Sequence, residues 1–124
     1  VLAEHLRMDD PARDREALRT ALHALRARRQ HERIEQWREA AFEGGRVAVG
    51  FEGAQKAAER GAIAELIFSD RAWREHPVEV EALVRRALAD GARVEIAEPD
   101  AVRDLDGTVD GVIAGLRFPI GSAA

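Results

Sequence analysis

Cysteine is absent from the 124 residues, which excludes a disulfide framework and any thiolate metal site and suits a reducing compartment. Aromatic residues are scarce, 5% of a chain that is 46% hydrophobic, so a core has to be built mainly from Ala, Leu, Val and Ile. No apolar run approaches the roughly 18 residues of a membrane span. No signal-peptide layout opens the chain either, and a soluble, cytoplasmic domain is expected. Positive charge is also in short supply. Residues 1–45 balance nine Arg against nine Asp or Glu, while residues 46–124 carry ten basic and fourteen acidic residues. Binding to a phosphate backbone relies on clustered Lys and Arg that displace counterions. The acidic part lacks that surplus, and a protein partner is favoured over bare nucleic acid. The chain opens on Val1, with Met8 inside an ordinary polar stretch, so it is expected to begin within a longer parent polypeptide.

The chain is organised around Gly61-Ala62-Ile63-Ala64-Glu65-Leu66-Ile67-Phe68-Ser69-Asp70, a short apolar run that suits one buried strand at the centre of a sheet. Before it, Asp9-Asp10-Pro11 offers an N-cap followed by proline at the first helical position. A helix follows to about Ala41, either unbroken or in two pieces around Gln30. Leu18, Leu22 and Leu25 share one face of it, Ile34, Trp37 and Ala41 resume the stripe, and Gly44-Gly45 stops it. Val47 and Val49 then alternate as a short strand, and Ala54, Ala57 and Ala58 give the next helix a small-residue face. Beyond the central strand, residues 70–77 are expected to form a loop holding Trp73, Arg74 and His76. Val80, Leu83, Val84, Ala87 and Leu88 make a helical stripe, and Val94 and Ile96 alternate with charges in a strand near an edge. An acidic connection over residues 100–110, with a helical turn around Val102 and Leu105, leads to a last strand over residues 112–118 and a tail. Repeated strand, helix, strand steps imply a mixed sheet with helices on both faces. The expected organisation is a linking helix over residues 1–43, an α/β/α sandwich over residues 44–121 and a tail over residues 122–124.

No catalytic constellation assembles. His5, His23, His31 and His76 lack metal-ligand spacing, Gly50-Phe51-Glu52-Gly53 lacks the full dinucleotide or phosphate-loop pattern, and Ser69-Asp70 has no companion His. Asp100, Asp104, Asp106 and Asp110 lack calcium-loop spacing. No cofactor, metal site or enzymatic activity is expected. Two groups of residues stand out as binding candidates. Trp73 and Arg74 are of the types enriched at interface hot spots, although a Trp that closes the end of a small core is an equal alternative. Arg26, Arg28, Arg29 and Arg33, together with the turn at Gly50 and Glu52, invite an RNA-binding reading, against which stands a solvated helix face with acidic residues at both ends.

Four stretches in order carry a family resemblance: Gly45-Arg46-Val47-Ala48-Val49-Gly50, the central Gly61-Ala62 to Ser69-Asp70 run, Asp90-Gly91-Ala92-Arg93-Val94-Glu95-Ile96, and Gly111-Val112-Ile113-Ala114-Gly115-Leu116-Arg117-Phe118-Pro119-Ile120. Over about residues 40–121 the chain resembles the third, C-terminal domain of Pelota and the archaeal-eukaryotic class I release factors, divergent bacterial relatives included. The resemblance implies a three-layer α/β/α sandwich similar to the kink-turn-binding ribosomal proteins, preceded by a long helix. In those RNA-binding relatives an Asn-Glu pair follows the first strand; Glu52 and Gly53 stand here instead, which favours the release-factor branch. The short connection after Ser69-Asp70 is closer to Pelota than to release factors, which often carry an insertion there. Between Ile96 and Gly111 the His and Gly pattern of Pelota is missing, which leaves a divergent branch with another partner open. The Gly-Gly-Gln motif of peptidyl-tRNA hydrolysis belongs to another domain and is not in this chain. The resemblance implies a non-catalytic domain that docks a translational GTPase or an ABC-type recycling ATPase, with nucleic acid touched only indirectly. The alternative is a structured-RNA-binding module of the kink-turn type.

Overall fold

The computed structural model describes residues 11–101 and 110–120. Helix α1 (Pro11–Phe42) is followed by strand β1 (Val47–Val49), helix α2 (Gly50–Glu59), strand β2 (Ile63–Phe68), a short helix α3 (Asp70–Glu75), helix α4 (Pro77–Ala89), strand β3 (Arg93–Ile96), a 3-10 turn (Pro99–Ala101) and strand β4 (Val112–Leu116). The N-cap expected at Asp9-Asp10, the turn around Val102 and Leu105, Asp104 and Asp106 of the acidic run, and the tail all lie outside the described residues.

The four strands form one mixed sheet in the order β1-β4-β2-β3. β4 runs antiparallel to both β1 and β2, while β2 and β3 are parallel. The apolar run that reads as a central strand is β2, flanked on both sides, and the half-exposed β3 is an edge. A register shift between Ile63 and Glu65 lets Ile63, Leu66 and Phe68 face one core while Ile67 faces the other.

The path from β1 to β2 and from β2 to β3 moves in one direction across the sheet. Right-handed crossovers in one direction place their helices on the same face. Accordingly α2 and α4 share the larger core, where Ala54, Ala57 and Ala58 meet Leu66, Phe68, Val80, Leu83, Val112 and Ala114. The second face has no crossover helix, and α1 covers it. Ile34 lies fully buried against Ile67, Ile113, Ala97 and Ala101, with Trp37 and Val47 at the margin. The three layers are therefore α2 and α4, the sheet, and the long helix. Trp37 lies so close over β4 that a Cβ on Gly115 would sit 2.7 Å from the indole Cζ2. Glycine is required there by close approach, as Gly50 is by its φ of 75° and by Asp110 beside it.

Two local expectations change. Residues 70–75, expected as a loop, form helix α3, whose first turn is capped by the Ser69 hydroxyl accepting from the Ala72 N–H at 3.0 Å. With one buried residue in six, α3 shows no readable helical period. In α1, Leu18, Leu22 and Leu25 are exposed, and the buried face runs instead through Ala27, Gln30 and Ile34. The helix is continuous past Gln30.

Candidate interaction surface

Helix α1 crosses the sheet obliquely, from Trp37 over β4 to Gln30 at the outer edge of β3, and then runs on past that edge. None of residues 11–26 is buried. The inner part of this stretch, with Thr20, His23, Ala24 and Arg26, still lies along Glu98, Pro99 and Asp100, and the rest overhangs; at 1.5 Å per residue the whole stretch is about 24 Å long.

The seam between α1 and β3 is polar. Buried Gln30 donates from Nε2 to the Ile96 carbonyl (3.0 Å) and to Glu95 (3.2 Å), and its Oε1 accepts from the Glu98 N–H (2.6 Å). Its amide thus stands in for the peptide group of a further strand at the C-terminal end of β3. Next to it Arg33 reaches Glu95 at 2.8 Å and Glu65 at 3.1 Å; Glu65 Oε2 is buried and close enough for an ion pair but outside hydrogen-bond alignment. Burial pushes the Glu95 carboxyl up, but hydrogen bonds from Arg33 and Gln30 and the charges of Arg33 and Arg93 outweigh it and hold the group below its ordinary value of 4.5. Further out, His23 and Arg26 both contact Glu98, at 3.2 and 3.3 Å.

These contacts divide the four arginines of the RNA-binding reading. Arg26 and Arg33 face carboxylates and anchor the helix, whereas Arg28 and Arg29 are exposed, and among the described residues neither takes part in an ion pair. The Gly50 turn lies elsewhere, at the start of α2, where Glu52 is exposed and pairs with Lys56 across one helical turn at 3.4 Å. The arginines and the turn do not form one surface.

Trp73 and Arg74 stand on α3. The Trp73 ring packs at 5.5 Å from Phe68 and is nevertheless 46% exposed, so it both closes the end of the core and presents an outer face. Arg74 pairs with Asp70 at 2.9 Å. Between α2 and α3 a polar cleft of about 410 Å³ is lined by Phe51, Arg71, Glu75, His76 and Asp110. The roomier hollow, about 900 Å³, is an open groove between the overhang of α1 and the edge of β3, with Leu22, Leu25, Arg29, Arg93, Val94 and Ile96 on its walls. Sequence reasoning missed Gln30 and this groove. Among the described residues no group of three or more His, Asp or Glu is placed to hold a metal ion.

No protein-family model and no curated protein sequence matches the chain. Solved structures do. Pelota from Archaeoglobus fulgidus superposes with a TM-score of 0.71 at 28% identity, covering 78% of this chain and 32% of that one. The chain is similar to Pelota and its release-factor relatives. Ribosome-bound archaeal Pelota, in a structure with ABCE1, matches with a TM-score of 0.72 at 21% identity over 83% of this chain and 29% of that one. Dom34 from S. cerevisiae, a translation termination-like factor of RNA quality control that interacts with Hbs1, matches with a TM-score of 0.67 at 17% identity over 91% of this chain and 32% of that one. The last two likenesses establish the fold, an α/β sandwich with a long N-terminal helix. The chain spans about a third of the length of the structures it matches.

Proposed function

We propose that this chain is a non-catalytic interaction domain of a Pelota-like protein acting in translation termination or ribosome rescue. Its partner is a translational GTPase of the Hbs1 kind or a recycling ATPase of the ABCE1 kind. The observation that carries the reading is the match to Archaeoglobus fulgidus Pelota over 78% of the chain at a TM-score of 0.71. The site chemistry agrees with it: the side chains of Gln30, Arg33, Glu95 and Glu98 are engaged in holding the helix to the sheet, and Leu18, Leu22 and Leu25 on the same helix are exposed apolar surface suited to a protein. No helix among the described residues is long and apolar enough to cross a membrane, and a cytoplasmic place of action follows from the same reading.

Cosedimentation tests this. Labelled chain is expected to pellet with stalled ribosomes when the GTPase or the ATPase from the same cells is present, and to remain in the supernatant with ribosomes alone. Pelleting that needs neither factor and is abolished by raised salt would point to direct RNA contact instead.

A further inference from the structure

The groove beneath the overhang of α1 has an unusual composition of unmet groups. In the parallel pairing with β2, the N–H of Ala97 bonds to Phe68, so alternate residues of β3 turn their peptide groups inward and Val94, Ile96 and Glu98 turn theirs outward. Gln30 answers the Ile96 carbonyl and the Glu98 N–H. The N–H and carbonyl of Val94 and the N–H of Ile96 have no partner among the described residues. Around them stand exposed Leu22 (50%), Leu25 (44%) and Ile96 (48%), with Leu18 one turn further along α1. The carboxylates of the groove are already engaged: Glu95 with Arg33 and Gln30, Glu98 with His23 and Arg26, Asp70 with Arg74. Four arginines (Arg26, Arg29, Arg33 and Arg93) and three carboxylates (Asp70, Glu95 and Glu98) line the groove; Arg93 acts on Glu95 through its charge, and Arg29, which has no ion pair among the described residues, leaves one positive charge in excess.

We propose that this groove binds an extended acidic-apolar segment of a protein partner, which pairs with the outer edge of β3 as a fifth strand under the overhang of α1. Main-chain hydrogen bonds to Val94 and Ile96 hold the segment in register, as in other edge-strand recognition. Its apolar side chains meet Leu22 and Leu25 on one face and Ile96 on the other, and its carboxylates meet Arg29 and Arg93. A helix in the same place would cover the leucines but leave the outward peptide groups of β3 unmet, which is why a strand is the occupant. Gln30 limits the pairing to the Val94 end of the edge, and this sets the direction from which the segment enters. The inference rests on the reading of the chain as an interaction domain and specifies the chemistry of what it binds.

The test is differential selection from a phage-displayed random peptide library, on the native chain and on Val94→Pro, which removes one outward N–H at an edge position where proline is tolerated. Peptides enriched on the native chain over the variant are expected to be acidic and apolar. They are expected to slow amide exchange at Val94 and Ile96, and to lose about tenfold in affinity for Arg29→Glu, a variant at an exposed position without an ion pair among the described residues that keeps the native melting temperature. The proposal is overturned if no peptide separates the native chain from Val94→Pro, if the enriched peptides bind without protecting those two amides, or if an RNA oligonucleotide occupies the groove through Arg29 and Arg93 instead. If the chain pellets with ribosomal factors and no peptide is selected, the groove inference fails and the proposed function stands. If peptides are selected and no ribosomal factor binds, the groove stands and its place in translation fails.

Discussion

At the scale of single residues, Gln30 decides how α1 meets the sheet. A lone polar residue in an arginine-rich interval reads as solvated, because its burial depends on the backbone of Ile96 and Glu98, far along the chain. Nothing local to Gln30 signals this. Gln30→Leu keeps the volume and strands those backbone groups, and urea unfolding is expected to show a loss of about 1–3 kcal/mol. Arg33 beside it answers two carboxylates. Because the folded Glu95 lies below its ordinary 4.5, its contribution is present at neutral pH and is lost as the pH falls from 4.5 through the folded value. Arg33→Met removes the counter-charge, so the variant is expected to melt below the native chain at neutral pH. The gap should narrow as both are acidified; a gap independent of pH would show that Arg33 acts through packing alone. Gly115 is the reverse case, a residue whose identity the closing stretch shows but whose reason lies in Trp37. Gly115→Ala is expected to cost about 1–3 kcal/mol by overpacking, and Gly115→Ala/Trp37→Leu to cost less than the sum of the two single changes.

At the scale of elements, the parts with a strong local period were legible and those defined by tertiary partners were not. β2 announced itself by its short apolar run, uninterrupted through Leu66, Ile67 and Phe68, α4 by its stripe and β3 by alternation. Helix α3 was hidden because six residues hold less than two turns and only Ala72 is buried. The face of α1 was hidden because its three leucines carry the stronger apolar signal while Ala27, Gln30 and Ile34 make the contact. The crossover rule correctly required helices against the sheet, but two crossovers in one direction cover one face only, and the second face depends on α1. Ile34→Ala is therefore expected to loosen α1 from Ile67 and Ile113, with a loss of about 2–5 kcal/mol and faster amide exchange in both β2 and β4. Ser69→Ala, which removes the cap of α3, is expected to cost about 1 kcal/mol. If Trp73 also contributes to partner docking, Ser69→Ala should weaken binding through a frayed α3 while the sheet keeps its exchange protection.

For the whole molecule, the order and spacing of the matching stretches made the architecture and the family likeness legible, because turn glycines and buried strands are set by the fold itself. The binding surfaces were far less so. Trp73 and Arg74 were singled out by residue type, and the arginines by their clustering, yet Arg26 and Arg33 turn inward to carboxylates and the groove draws on residues from opposite ends of the chain. Surface chemistry of this kind exists only once α1 and β3 are side by side. The measurement that bears most directly on the proposed function is equilibrium binding of the labelled chain to an isolated Hbs1-type GTPase and to an ABCE1-type ATPase, with a kink-turn RNA as the competing ligand, at two salt concentrations. Saturable binding to one of the two factors, with indifference to the RNA, is the predicted result. Tight, salt-sensitive binding to the RNA with neither factor bound would contradict it and make the chain an RNA-binding module.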